Sequence, residues 1–111
     1  MRARATPRPV LPQKLAGKSL RHLRGLGHAL DPVISIGKNG MTDTLAQETE
    51  RALEKHELIK VKVMQEAPID RHAAAEELAA KTGAVLAQVL GRTFLLYKKH
   101  PKKPKIILPR E

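Results

Sequence analysis

The sequence predicts an α/β fold in which a four-stranded mixed sheet is packed with helices, in the order α-β-α-β-α-β-β. Short apolar runs rich in β-branched residues alternate with longer segments whose apolar residues recur at helical spacing. The last two runs are separated only by Gly91-Arg92, which predicts a hairpin. Strand–helix–strand units favour parallel pairs with right-handed crossovers, and the hairpin adds an antiparallel edge strand.

The first predicted helix, from about Lys14 to Leu30, has an apolar face and a basic face. Gly25 and Gly27 each weaken it by about 1 kcal/mol relative to Ala, so they mark either a close packing contact or an early end. Asp31-Pro32 breaks the helix. At about 100° per residue, the apolar face holds Leu15, Ser19, Leu23, Leu26 and Leu30, and the opposite face holds Lys14, Lys18, Arg21, Arg24 and His28.

The remaining elements are predicted from alternation and from helix-capping residues. Thr42 and Asp70 are good N-caps, and Gly83 is a good residue to follow a helix end. The run Leu58–Met64 alternates as a strand, with Lys60 and Lys62 on its wetter face. These patterns predict helices at 42–57 and 71–82, and strands at 33–36, 58–64, 84–90 and 93–98.

The distribution of charge favours a polyanion as the partner. The chain has a formal net charge of +10, from 21 Lys and Arg residues and 11 Asp and Glu residues. Residues 1–30 contain seven basic residues and no acid, whereas nine of the eleven acids lie between Asp43 and Glu77. Such asymmetry is typical of nucleic-acid-binding proteins, and a basic surface kept for solubility is the simpler alternative.

Composition argues against several classes of protein. The absence of Cys excludes disulfides and thiolate metal sites and fits a reducing compartment. No apolar run approaches the roughly 18 residues that span a membrane. The five histidines lack metal-site spacing, and the acids form no recognisable acid/base pair. We therefore expect a cytoplasmic, monomeric non-enzyme with no cofactor, metal or small-molecule substrate.

Proline and charge divide the chain into three parts. Residues 1–13 contain three prolines and little to bury, which predicts a flexible basic arm. Residues 14–98 form the folded domain. Residues 99–111 form a basic tail rich in Pro and Lys, which is expected to be mobile unless Ile106–Leu108 docks on a sheet edge.

The segment Gly37-Lys38-Asn39-Gly40 follows a predicted strand and precedes a helix N-cap. Both glycines permit positive φ and leave the loop backbone bare, so that another molecule can approach closely. Lys38 and Asn39 supply a charge and hydrogen-bonding groups at the tip. The next helix points its positive end towards the loop, an arrangement that suits a phosphate group.

Three separated motifs occur along residues 14–98: PVISIGKNGMT at 32–42, HELIKVKV at 56–63 and LGRTFLLY at 90–97. Together they resemble the CRM domain (chloroplast RNA splicing and ribosome maturation) in its single-domain bacterial YhbY-like form. The resemblance implies an α/β fold similar to the C-terminal domain of bacterial translation initiation factor three. It also implies RNA binding through the Gly loop, and association with ribosomal RNA in precursors of the large subunit.

The candidate RNA-contacting residues come from the resemblance and from the charge pattern. By motif match, the resemblance places the contacting loop on Gly37, Lys38, Asn39 and Gly40, and a basic hairpin position on Arg92. The charge pattern adds the helix residues Lys14, Lys18, Arg21 and Arg24, and the strand-end residues Lys98 and Lys99. The alternatives are an ordinary strand-to-helix turn for the loop and solvated surface charges for the rest.

Aromatic residues are too few for a stacking platform. Phe94 and Tyr97 fall on opposite faces of the last strand, and Phe94 is expected in the core. Recognition should therefore depend on phosphates, sugars and RNA shape. A KH domain is a near alternative, but it usually has an apolar residue where this chain has Asp43. Two other functions remain open: a module that docks an acidic or ribosomal protein, and nonspecific DNA binding.

Overall fold

The computed structural model describes residues 17–109, and their helices and strands follow the predicted α-β-α-β-α-β-β order. The arm predicted at residues 1–13 and the site residue Lys14 lie outside the described residues, as do Leu15, Arg110 and Glu111. The helices are α1 (Gly17–Gly27), α2 (Asp43–His56) and α3 (Arg71–Thr82). The strands are β1 (Pro32–Ile36), β2 (Leu58–Val63), β3 (Val85–Leu90) and β4 (Thr93–Tyr97).

The predicted helix caps are confirmed. Thr42 Oγ1 accepts the Leu45 N–H at 3.0 Å, and Asp70 Oδ2 accepts the His72 N–H at 2.9 Å. Each bond satisfies a donor that has no partner within the first turn of its helix. Gly83 ends α3 in the left-handed conformation, with φ of 71°. The sequence-encoded caps therefore fix both ends of α3 and the start of α2.

Helix α1 ends at Gly27, three residues before the predicted end at Leu30. A Cβ atom at Gly27 would overlap the side chain of Leu95 in β4, so this glycine allows the helix to lie close to the sheet. The Leu30 N–H then bonds to the Gly27 carbonyl at 3.0 Å in a tighter turn. A Cβ atom at Gly25 would meet no neighbour within 4 Å, so Gly25 makes no such close contact.

The strand order across the sheet is β1-β2-β4-β3. Strands β1 and β2 pair in parallel as predicted, but the parallel pairing expected for the second strand–helix–strand unit is wrong, because β4 lies between β2 and β3. The reason is that β4 is apolar on both sides: residues 94–97 are all buried, whereas β3 is mostly half-buried. A strand that is apolar on both faces is stabilised in the centre of a sheet.

Helices cover both faces of the sheet. Helix α1 packs on one face, with Leu23 buried against Leu95 and Tyr97, and we call this side the α1 face. Helices α2 and α3 pack on the other, where Phe94 is 1% exposed. The predicted opposite placement of Phe94 and Tyr97 is thus confirmed. No helix within residues 17–109 has the length and apolar character needed to cross a bilayer.

Candidate nucleic-acid interface

One end of the sheet brings the Gly loop and the hairpin turn together, and we call it the loop end (residues 37–40 and 91–92). The Ile36 carbonyl, just before the loop, accepts the Met64 N–H at 2.9 Å. The Val63 N–H donates to the Arg92 carbonyl at 2.7 Å. Only β2 separates β1 from β4, so the Gly loop and Arg92 begin two strand spacings apart, about 10 Å. The structure therefore unites two site regions that are 52 residues apart in the chain, from 40 to 92.

The loop is a tight turn with an exposed polar tip. The Gly40 N–H donates to the Gly37 carbonyl at 3.0 Å, and Lys38 and Asn39 are exposed between them. Gly40 has φ of 67°, and a Cβ there would lie 3.2 Å from Pro68 Cγ. Both the backbone conformation and the neighbouring proline therefore favour glycine at position 40.

Gly37 differs from Gly40 in both respects. Both glycines permit positive φ, but only Gly40 adopts it, since the φ of Gly37 is not in the left-handed region. No atom lies within 4 Å of a Cβ built on it. Folding therefore places no demand for glycine at position 37, and the missing side chain leaves bare backbone facing open space.

A polar row crosses the α1 face next to the loop end. Ser35, Lys62 and Thr93 are in register on adjacent strands, and α1 does not bury them. Lys62 is exposed, and its ammonium group extends the positive charge of the loop end across the sheet. Lys62 was absent from the candidate residues, although the Lys-Val-Lys alternation of β2 had already placed it on the wetter face.

The basic face of α1 lies over the same side of the sheet. The described members Lys18, Arg21, Arg24 and His28 are all exposed, which confirms the predicted helical pattern. Arg24 also has a structural contact, because its Nε donates to the Ala87 carbonyl of β3 at 3.3 Å. His28 lines a small cleft with Thr93, so this basic face approaches the loop end at its C-terminal side.

Lys98 and Lys99 lie at the opposite end of the sheet, which we call the tail end (residues 57–58 and 97–99). Six residues of extended chain separate Lys98 from Arg92, or about 20 Å. Lys98 Nζ donates to the Thr82 carbonyl at 2.8 Å, where it neutralises the negative end of α3. The structure therefore does not bring these two lysines to the Gly loop.

Charge is segregated between the two sides of the sheet. Helix α1 contains no acid, and the exposed cations Lys62 and Arg92 lie on its side or at the loop end. The outer surfaces of the other two helices carry both signs of charge, because six exposed acids stand beside four exposed basic residues: Asp43, Glu48, Glu50, Glu54, Glu76 and Glu77 beside Arg51, Lys55, Arg71 and Lys81. A polyanion is therefore attracted more strongly towards the α1 face than towards the α2–α3 side.

Comparison with known proteins identifies the family. The family model described as CRS1 / YhbY (CRM) domain matches residues 15–98. The chain belongs to the CRM domain family. It is 39% identical over 95 residues to "Probable RNA-binding protein YqeI" of Bacillus subtilis, covering 86% of this chain and 99% of that protein. It is 37% identical over 97 residues to "RNA-binding protein" of Haemophilus influenzae, covering 87% and 97%.

The fold of this CRM domain is also found in a solved structure. The solution structure of SAV1595 from Staphylococcus aureus superimposes with a TM-score of 0.73 at 38% sequence identity. The match covers 86% of this chain and all of that chain. The resemblance drawn from the three motifs is therefore confirmed, as is the α/β fold.

The loop end of this CRM domain offers groups that suit phosphate oxygens. Lys38, Lys62 and Arg92 supply exposed cationic donors, and Gly37 leaves its backbone open to close approach. Helix α2, which begins just after the loop, adds the positive end of its dipole. Among the described residues, no three His, Asp or Glu side chains lie close enough to hold a metal ion.

Proposed function

We propose that this protein binds RNA, and that its loop end grips the ribose-phosphate backbone. The observation that supports this most is the bare Gly loop beside Arg92 and Lys62, next to the acid-free helix α1. The names of its relatives in Bacillus subtilis and Haemophilus influenzae describe RNA-binding proteins. Without aromatic side chains on this surface, affinity should come chiefly from phosphates rather than from stacked bases.

The proposal predicts a strong dependence of affinity on salt. Lys18, Arg21, Lys38, Lys62 and Arg92 are exposed and provide five phosphate contacts on the α1 face and loop end. On single-stranded RNA, five contacts give a log–log slope of affinity against salt of about −3.5. A flat response would contradict binding through phosphates.

We further propose that the RNA is ribosomal RNA in precursors of the large ribosomal subunit. This part rests on the resemblance to YhbY-like proteins. Crosslinking in cells, followed by sequencing of the attached RNA, tests it. We expect sequencing reads concentrated on large-subunit ribosomal RNA and its unprocessed flanks. We also propose that the protein is monomeric and cytoplasmic. Reads spread in proportion to total cellular RNA would contradict this assignment.

The alternative, a module that docks an acidic or ribosomal protein, is separated by one experiment. The tagged protein is recovered from lysate with and without ribonuclease treatment. RNA binding predicts that co-purifying ribosomal proteins are lost after treatment, because RNA connects them to this chain. A protein partner that persists would favour direct docking, and equal affinity for duplex DNA and structured RNA would favour nonspecific binding.

A further inference from the structure

A buried carboxylate at the tail end holds the C-terminal segment. Glu57 is 1% exposed, and its two carboxylate oxygens accept three backbone N–H groups. Oε1 accepts those of Lys105 and Ile106, each at 2.7 Å, and Oε2 accepts that of His100 at 2.8 Å. Burial raises the pKa of Glu57, but these hydrogen bonds and the nearby His100 outweigh burial and lower the pKa below its usual 4.5.

The backbone of Glu57 is strained, which indicates that the side chain is needed there. It has φ of 64° and is the one residue other than glycine within 17–109 with positive φ. It follows the last residue of α2, where glycine is usual because it has no Cβ to strain. A glycine would relieve the strain but would remove the acceptor for three buried N–H groups. The fold therefore tolerates the backbone strain at Glu57, because this position places a carboxylate within hydrogen-bonding distance of residues 100–106.

The segment held by Glu57 runs over the α1 face, and we call residues 98–108 the C-terminal strap. The Lys98 N–H donates to the Glu57 carbonyl at 2.8 Å, which continues the pairing of β4 with β2 by one residue into the strap. Ile106 and Leu108 pack on the cluster that contains Leu58. The sequence predicts a mobile tail unless Ile106–Leu108 docks on a sheet edge. In the structure, Ile106 and Leu108 do dock, but on the α1 face of the sheet rather than on an edge.

The strap divides its lysines into two groups. Lys98 Nζ and Lys105 Nζ donate to the carbonyls of Thr82 and Lys55, at the C-terminal ends of α3 and α2. The amines of the other three are exposed and make no hydrogen bond or ion pair within residues 17–109: Lys99, Lys102 and Lys103. Two lysines thus attach the strap to the domain, and three remain available to a ligand.

Hydrogen bonds to His100 shape the backbone that carries two of the available lysines, Lys102 and Lys103. His100 Nδ1 accepts the N–H groups of Lys102 at 3.1 Å and of Lys103 at 2.9 Å, which folds the chain into a tight turn. Pro101 and Pro104 flank these two lysines and restrict φ on either side. The backbone of this basic turn is therefore ordered before any ligand binds, which reduces the entropy lost on binding.

We propose that Lys99, Lys102 and Lys103 form a second phosphate-binding surface, positioned by Glu57, for a separate segment of the same RNA. This inference rests on the proposed RNA-binding function and extends it from one end of the sheet to both. The two surfaces lie at opposite ends of the sheet, and these ends are about 20 Å apart from Arg92 to Lys98. A short single strand therefore contacts the loop end alone, whereas a longer strand contacts both surfaces.

The test compares two RNA lengths and three variants. The short RNA has about four to six nucleotides, close to the length that a Gly loop of this kind clamps, and the long RNA about 16. The variants are Lys102→Gln with Lys103→Gln, Glu57→Gln, and the control Arg51→Gln, which removes an exposed charge from α2. Fluorescence anisotropy at several salt concentrations gives affinity and slope, and circular dichroism reports folding.

The double lysine variant should lose two contacts with the long RNA. Its log–log slope should become shallower by about 1.4, which lowers affinity about 25-fold at 0.1 M salt. Its affinity for the short RNA should equal that of the wild type, and the control should change neither. Equal loss on both RNA lengths, or no loss on the long RNA, would overturn the proposal.

Glu57→Gln gives an independent readout because charge alone predicts the opposite result. The substitution raises the net charge by one, which would strengthen RNA binding if only charge mattered. Releasing the strap should instead weaken binding to the long RNA and leave the short RNA unaffected. Tighter binding to the long RNA would overturn the role of Glu57. If the wild type bound neither RNA, the proposed RNA-binding function itself would be refuted. If the wild type bound the short RNA but neither strap variant weakened binding to the long RNA, only the second phosphate-binding surface would be refuted.

Discussion

Gly37 and Gly40 lie three residues apart in one loop, yet they should respond to alanine in opposite ways. At Gly37 the backbone does not need positive φ, and the new methyl group would meet no atom within 4 Å. Alanine at such a position leaves stability unchanged or raises it by up to about 1 kcal/mol, because the unfolded chain loses conformational freedom. The methyl group would nevertheless hold a phosphate away from the loop backbone.

The expected loss in RNA affinity follows from one blocked contact. A hydrogen bond to a charged group contributes about 1.5–3 kcal/mol, so Gly37→Ala should weaken binding about 10- to 150-fold. Anisotropy with a single-stranded RNA measures this loss, and urea unfolding of the same sample measures stability. The result expected is a stable protein that binds RNA poorly.

Gly40→Ala is the matched control. At φ of 67° a residue with a Cβ costs about 1–2 kcal/mol, and its methyl group would lie 3.2 Å from Pro68. Unfolding should therefore become easier by about that amount, which lowers the melting temperature by roughly 4–8 °C per kcal/mol. If Gly37→Ala bound RNA like the wild type, close approach to the loop backbone would be refuted. If it lost as much stability as Gly40→Ala, the difference between the two glycines would be refuted.

Three further predictions concern packing, acid stability and two cations of the proposed interface. Gly27→Ala should lower the free energy of unfolding by about 1–3 kcal/mol in urea, because its methyl group overlaps Leu95; an unchanged midpoint would contradict this contact. Since the pKa of Glu57 lies below 4.5 when folded, its stabilisation is present above that pH and is lost as the pH falls. The free energy of unfolding of the wild type should accordingly fall more steeply than that of Glu57→Gln between about pH 5 and pH 3. Parallel pH dependences of the two proteins would contradict stabilisation by the Glu57 carboxylate. Arg92→Gln and Lys62→Gln should each make the salt slope for RNA shallower by about 0.7, and an unchanged slope would remove that residue from the interface.

The elements that could be predicted from the sequence are those determined by local chemistry. Thr42 and Asp70 cap their helices with their own side chains, so a few neighbouring residues suffice to place the helix starts. The alternation of β2 likewise reports which side chains are buried. The Gly loop could be predicted because two glycines between a strand and a helix cap are typical of a tight turn, and Gly40 shows the conformational need directly.

The features that sequence reasoning missed depend on contacts between distant segments. Glu57 resembles any charged residue after a helix, and its role appears only when residues more than 40 positions later reach it. The insertion of β4 between β2 and β3 is also nonlocal, although the apolar run of residues 94–97 is a signal for a central strand. Lys62 was visible as a wet-face residue, but its register with Thr93 was needed to connect it with the loop end.

The most direct test of RNA binding through the loop tip is the salt dependence of affinity in the variant Lys38→Asp with Asn39→Asp. Both side chains are exposed, so the fold should be retained and circular dichroism should match the wild type. We predict that this variant binds single-stranded RNA more weakly at every salt concentration, with a slope shallower than the wild-type value of about −3.5. Wild-type affinity and slope in the folded variant would contradict RNA binding by this loop.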